Sequence, residues 1–207
     1  MTMRKTLFIL AAMLISMVAS AQIREEGETR NGLKEGTWYE IDVNKNLIRK
    51  VVQYKEGKKD GLYLEIDETG ALVKKCEYTN DQLSGSSYTW YRGGRLSGKN
   101  TYKDGKLDGE QITCYEQGGN REIASYKDGL RDGLTTWFGQ NGNVVMTIEY
   151  KAGQFDGKQQ TYYKSGAVKS ESVYKNGKIV GKVKEFEDVK PEAETKEVLE
   201  MKAFKKQ

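Results

Sequence analysis

Four aspartates, Asp60, Asp108, Asp132 and Asp156, each precede a glycine and stand at multiples of 24 residues from one another. Carboxylate oxygens in such a ladder are the donor type that calcium takes. Copies two strands apart would be separated by about 9.6 Å, too far for two of them to share one ion. No metal site is therefore expected, and the aspartates read as turn-capping or solvated groups. Lys55, Lys103, Lys127, Lys151 and Lys175 keep the same period. At strand ends beside acidic residues they read as groups that keep edges and turns soluble. A third set is aromatic: Trp90, Tyr91, Tyr115, Trp137, Tyr162 and Tyr163. Rings recurring at one phase form a stripe suited to protein contact or to stacking on sugars. Neighbouring side chains on a strand point to opposite faces, so each adjacent pair should place one ring in the core and one in solvent. These six are the candidate binding residues.

Nucleophilic and acid–base chemistry has less to work with. The 207 residues include no histidine and two cysteines, which removes the commonest general base and leaves too few thiolates for a cysteine-rich zinc site. No nucleophile–base pair can be assembled. The expectation is a chain that is not an enzyme, with no catalytic residue, no metal and no cofactor.

What positions these residues is a repeat. Tyr54, Tyr78, Tyr102, Tyr126, Tyr150 and Tyr174 are spaced by 24 residues, and each opens a segment of the form YKDGKLDG. The segments close on Gly61, Gly85, Gly109, Gly133, Gly157 and Gly181, and a further glycine series, Gly70, Gly94, Gly118, Gly142 and Gly166, falls nine residues later. A fixed period of this length marks an array whose units stack on their neighbours. Asp104-Gly105, Asp128-Gly129 and Asn176-Gly177 are hairpin-turn dipeptides, and the runs between turns are rich in Tyr, Thr, Val, Ile and Trp, which is strand composition. Each unit therefore reads as two antiparallel strands.

The closing glycine falls inside a strand, where it marks a bulge or a close approach. With a two-residue turn at Asp104-Gly105, Gly109 is expected opposite Asn100, with Tyr102 of its own unit laid over it. The better apolar series lies at odd offsets from that glycine (Ile41, Ile66, Trp90, Cys114, Phe138, Tyr162 and Phe186), whereas ideal pairing puts even offsets on the tyrosine face. Either a bulge shifts the phase, or both faces are partly covered. Cys76 and Cys114 come out three strand spacings apart, about 14 Å, so both are expected free and buried.

The ends differ from the array. Residues 1–21 carry Arg4 and Lys5, an apolar run from Leu7 to Val18, and Ala19-Ser20-Ala21, the order of a secretory signal peptide. The apolar run is shorter than the ~20 residues needed to span a bilayer, so no integral membrane anchor is expected after cleavage. Without Arg4 and Lys5, 32 of the 34 basic residues face 30 acidic ones. That near balance gives no field suited to nucleic acid. Residues 22–30 offer a short edge strand, and residues 188–207, with Val198, Leu199, Met201 and Phe204, read as a charged helix or tail.

The motif set, G-x-x-aromatic, turn, strand and then Y-K-x-G-K-x-D-G, resembles the membrane occupation and recognition nexus (MORN) repeat in its bacterial variant form, over about residues 30–187. The resemblance implies an elongated, twisted antiparallel sheet with one hairpin per repeat. It also implies the roles of its relatives: many bacterial members are labelled antitoxin components of toxin–antitoxin modules, and eukaryotic ones are associated with phospholipids, oligomerisation and scaffolding. The eukaryotic pattern often has His-Gly where this chain has Asp-Gly, so lipid binding is not carried over.

The expected architecture is all-β, a single-layer meander of about seven hairpins over residues 22–187. The expected function is that of an exported, noncatalytic repeat protein of the periplasm, envelope or exterior that binds or scaffolds a protein partner, with an antitoxin- or immunity-like role as one version. The alternative is a structural or carbohydrate-associated envelope protein with a glycan partner. The sequence sets no oligomeric state.

Overall fold

The computed structural model describes residues 23–189. The leader, 1–21, and all of the C-terminal segment beyond Val189 lie outside the described residues. The chain runs through β1 (Ile23–Arg30), β2 (Leu33–Asp42), β3 (Leu47–Lys55), β4 (Lys58–Ile66), β5 (Leu72–Thr79), β6 (Gln82–Trp90) and β7 (Leu96–Lys103). It continues through β8 (Lys106–Cys114), β9 (Asn120–Lys127), β10 (Leu130–Phe138), β11 (Val144–Lys151), β12 (Gln154–Tyr162), β13 (Val168–Lys175) and β14 (Lys178–Glu185). These strands form one 14-stranded antiparallel sheet in sequential order. The expected meander of seven hairpins is the observed fold, and residues 23–30 supply the edge strand β1.

Local chemistry fixes the turns. At the tip of one hairpin Asp104 and Gly105 both have positive φ, 50° and 75°, the conformation of the two-residue turn whose twist matches the flanking strands. The same conformation recurs at Asn80-Asp81 and Ala152-Gly153, where the sequence lacks the favoured dipeptide.

Two irregularities repeat along the sheet. Within each of the seven hairpins the register slips by two residues: Tyr102 pairs with Leu107, but Asn100 pairs with Gln111. Between successive hairpins it slips by one, as where Thr89 pairs with Gly98 and Trp90 with Leu96. A slip of two preserves the alternation of faces. Side chains at even offsets from the closing glycine therefore do share the face of the repeat tyrosines.

That face carries most of the core, so of the two alternatives the bulge does not shift the phase and the faces are both partly covered. Val52, Cys76, Ala124, Ile148 and Ser172, each two residues before a repeat tyrosine, are buried, as are Tyr63, Ser87 and Thr135, each two residues after a closing glycine. Of the odd-offset series only Cys114 is buried, while Ile41, Ile66, Trp90, Phe138 and Tyr162 are half-buried on the opposite face or at strand ends and Phe186 is exposed. Both faces are partly covered, because a single layer has no second sheet to bury one of them completely. In the middle of the row the core turns polar, and Gln111 Nε2 donates to Asn100 Oδ1 at 3.0 Å. Both cysteines are free and buried, and burial pushes their thiols above the ordinary range.

The place of the closing glycine is a correction. Gly109 pairs with Tyr126, the tyrosine of the next unit, and the same cross-unit pairing joins Gly61 to Tyr78 and Gly157 to Tyr174. At φ 114°, a Cβ on Gly109 would stand 3.2 Å from Thr101 Cβ. The close approach is thus to the residue before Tyr102, across the bulge.

Candidate binding surface

The repeated aspartates are structural caps. Asp108 Oδ2 accepts from the backbone N–H of Asp128, the first residue of the following turn, at 3.2 Å. Asp60, Asp132 and Asp156 accept from Asn80, Ala152 and Asn176 in the same way. Each therefore ties one hairpin tip to the next. The Lys175 ammonium and the Asn176 amide together hold the Asp156 carboxyl below the usual carboxylate range. Among the described residues no group of three or more His, Cys, Asp or Glu could hold a metal ion.

The six candidate aromatics are all half-buried, so the exposed member expected in each pair is absent, and they divide into three environments. Tyr91, Tyr115 and Tyr163 sit in the loops at the far end of the sheet from the two-residue turns. Their hydroxyls donate to the carbonyls of Cys114, Phe138 and Phe186, at 2.8, 2.7 and 2.9 Å. A tyrosine in one loop thus anchors the corresponding strand end of the next hairpin, 23 residues on. These three rings fasten unit to unit.

Trp137 lies on the tyrosine face. The Arg131 guanidinium stands within 5.4–5.8 Å of the ring centroids of Tyr126, Trp137 and Tyr150 and pairs with the Glu122 carboxylate. Burial alone would lower the Arg131 pKa, but its bond to Glu122 outweighs that and holds it above the ordinary value. Three rings around a guanidinium are a favourable cation–π arrangement, and they bury Arg131 in place.

Trp90 and Tyr162 face the opposite side. Trp90 stacks on Tyr88, centroids 6.1 Å apart. The Tyr162 hydroxyl meets Thr147 Oγ1 at 3.3 Å and Gln160 Oε1 at 3.1 Å. Tyr162 also lines a shallow hollow of about 370 Å³ with Thr136, Asn143, Val144, Thr147 and Ser165. Three hydroxyl side chains and one ring edge line it; it is open, and its surface is more apolar than polar.

A different surface escaped the sequence reading. Six of the sixteen exposed large hydrophobic residues, Val173, Ile179, Val180, Val183, Phe186 and Val189, lie in or beside the last hairpin. The other edge strand, β1, is equally open but contributes only Ile23. An unpartnered edge therefore does not by itself explain the apolar character of β14. The signal was visible in YKNGKIVG, where Val180 stands in place of the capping aspartate.

The model for the MORN repeat variant matches residues 131–152 and 155–176, two successive units that include Arg131, Tyr150 and Tyr174. No curated protein matches the chain. Among solved structures, a crystal structure of TarM is similar at a TM-score of 0.26 and 14% identity, over 64% of this chain and 21% of that one. A Staphylococcus aureus TarM point mutant in complex with fondaparinux, alpha-GlcNAc-glycerol and UDP is similar at the same score and identity, over 63% of this chain and 21% of that one. The chain spans about a fifth of the length of these proteins, and the likeness identifies neither a fold nor a function. No helix among the described residues is long and apolar enough to cross a membrane.

Proposed function

We propose that this chain, a protein of the MORN repeat variant family, is an exported, noncatalytic scaffold that binds a protein partner at the C-terminal end of its sheet. Repeats of this family are generally noncatalytic and often serve as protein- or membrane-binding modules. The observation that carries the reading is the set of exposed apolar residues Ile179, Val180, Val183 and Phe186 on an edge that has no paired strand among the described residues. Ile179 and Val183 are exposed on the tyrosine face and Val180 and Phe186 on the opposite one, so the edge presents apolar side chains on both faces, and an open edge accepts an added strand through main-chain hydrogen bonds. The rest of the sheet is occupied with its own cohesion, since caps, loop tyrosines and the Arg131 cluster all hold hairpin to hairpin.

The leader, with Arg4, Lys5 and Ala19-Ser20-Ala21, supports export to the periplasm, envelope or exterior. An immunity- or antitoxin-like role is one form of such binding, and a toxin encoded beside this chain would favour it. The test is affinity capture from the cell's own envelope fraction with the protein in the form that accumulates on expression of the full chain. A Val180→Lys/Val183→Lys variant serves as control. A partner held by the wild type and lost by the variant is expected, whereas no partner, or one held equally by both, overturns the reading.

A second reading rests on the hollow beside Tyr162, whose hydroxyls and ring suit a sugar. Glycan-array binding lost on Tyr162→Ala and kept in Val180→Lys/Val183→Lys would favour it over the first.

A further inference from the structure

We propose that the two edges of the sheet are complementary, so that β14 of one copy pairs with β1 of a second copy and continues the array head to tail. This names a partner for the β14 surface and rests on reading that edge as a binding surface. Among the described residues both edge strands have one side without a hydrogen-bonded neighbour. The array itself fixes the register in which they would meet. At every junction between hairpins a closing glycine pairs with the tyrosine of the following unit, as Gly133 does with Tyr150 and Gly157 with Tyr174.

In β14 the closing glycine is Gly181. In β1 the residue in the tyrosine's place is Thr29, because Thr29 pairs with Lys34 as Tyr102 pairs with Leu107. Setting Gly181 against Thr29 of the second copy aligns Lys182 with Glu28 and Lys184 with Glu26. Both pairs fall on the face opposite the tyrosines, where opposite charges directly across a strand pair are stabilising. Inside the chain a diagonal pair on the same face shows the same chemistry: Lys158 Nζ lies 3.2 Å from Glu171 across the β12–β13 junction, the places that Lys182 and Glu26 would take.

On the tyrosine face the register brings Val183 to Gly27, against which the Trp38 ring lies so closely that a Cβ there would clash. An exposed valine thereby gains an aromatic surface. The like-charged pair in this register is Glu185 with Glu25, and Lys34 Nζ, 2.7 Å from Glu25, offsets it. At the turn end, Gly177 donates to the Phe155 carbonyl at 2.8 Å, and the matching partners between copies are the Gly32 amide and the Ile179 carbonyl.

Two anchors found within the chain are missing at this junction. Val180 replaces the capping aspartate, and Glu187 stands where the loop tyrosine would be. The contact between copies is accordingly weaker than the junctions inside the chain and reverses on dilution. A head-to-tail interface of this type leaves a free edge at each end, so association gives an open series and not a closed dimer.

The test is sedimentation equilibrium of the protein in its accumulated form, at rising concentration and at low and high salt, with Lys182→Glu/Lys184→Glu, with Glu26→Lys/Glu28→Lys, and with an equimolar mixture of the two variants. The expected result is a weight-average mass that climbs with concentration in the wild type and falls with salt. Each variant alone should stay monomeric with an unchanged far-UV spectrum, and the mixture should associate again. A wild type that is monomeric throughout, or association that survives in either variant, overturns the proposal. Association gained only on deleting residues 190–207 also overturns it, by making the chain's own C-terminal segment the occupant. A monomeric wild type that still captures a Val180- and Val183-dependent partner would leave the proposed function standing while removing this inference.

Discussion

Gly109 pairs with Tyr126 of the following unit, while Tyr102 of its own unit pairs with Leu107. The conspicuous glycine and tyrosine of each repeat therefore form a joint between neighbouring units. The closing glycine of each hairpin, inside its second strand, is the register partner of the next hairpin's tyrosine.

Replacing this glycine strains both the backbone and the bulge. A β-branched residue at φ 114° costs about 1–3 kcal/mol in backbone strain, and its Cβ would press on Thr101. Gly109→Val should lower the midpoint of chemical unfolding clearly, and Gly109→Ala less so. Gly93→Ala, at a position where a Cβ meets nothing, should leave it nearly unchanged.

The loop tyrosines give a second prediction. Removing the hydroxyl in Tyr91→Phe or Tyr115→Phe orphans the Cys114 or Phe138 carbonyl and should cost about 1 kcal/mol each. The bond from Tyr91 ends on the peptide group that begins Tyr115, so the two sites are coupled and the double variant should depart from the sum. Amide exchange should quicken at the loop ends before the strand centres.

Arg131 is held by three rings and a carboxylate. Arg131→Ala leaves Glu122, whose side chain is 14% exposed, without its partner and should destabilise the sheet by about 1–3 kcal/mol. Arg131→Ala/Glu122→Gln should recover part of that loss in thermal unfolding, since it removes the stranded charge.

Acid stability follows from three carboxylates. Hydrogen bonds from Thr69 lower Asp67, the Lys175 ammonium and Asn176 amide lower Asp156, and Lys158 and then Gln160 lower Glu171. A folded-state pKa below the unfolded one contributes stability that is present above the ordinary carboxylate pKa of about 4 and is lost as pH falls through the depressed values. Unfolding measured from neutral to acid should show stability declining below about pH 4. In Asp156→Asn/Glu171→Gln that decline should be flatter, from a lower neutral plateau, with the two curves converging at the acid end.

The 24-residue phase made the meander, its turns and its free cysteines legible, because hairpin chemistry is local: Asp-Gly and Asn-Gly dictate their own dihedrals. What remained hidden depends on contacts between units. The slip of two residues at each closing glycine leaves no mark on periodicity, so the odd-offset apolar series Ile66, Trp90 and Phe138 left open which face is buried. The buried row instead passes through Cys76, Ser87, Ala124 and Thr135, residues too small or polar to announce burial. Tyr91 and Tyr163 read as candidate binding rings because nothing in their own segment reveals a carbonyl 23 residues ahead. Val180 was legible as a break in the Asp-Gly series, and its meaning came only from seeing that it stands on an edge.

The central claim is that binding takes place at the β14 edge and not along the middle of the sheet. Site-specific photo-crosslinking in cells, with a photoreactive residue placed in turn at Val183 and at Leu134, which is exposed in mid-array, tests it most directly. The account predicts a discrete protein adduct from position 183 and none from position 134. No adduct from 183, or adducts of equal yield from both positions, would contradict it.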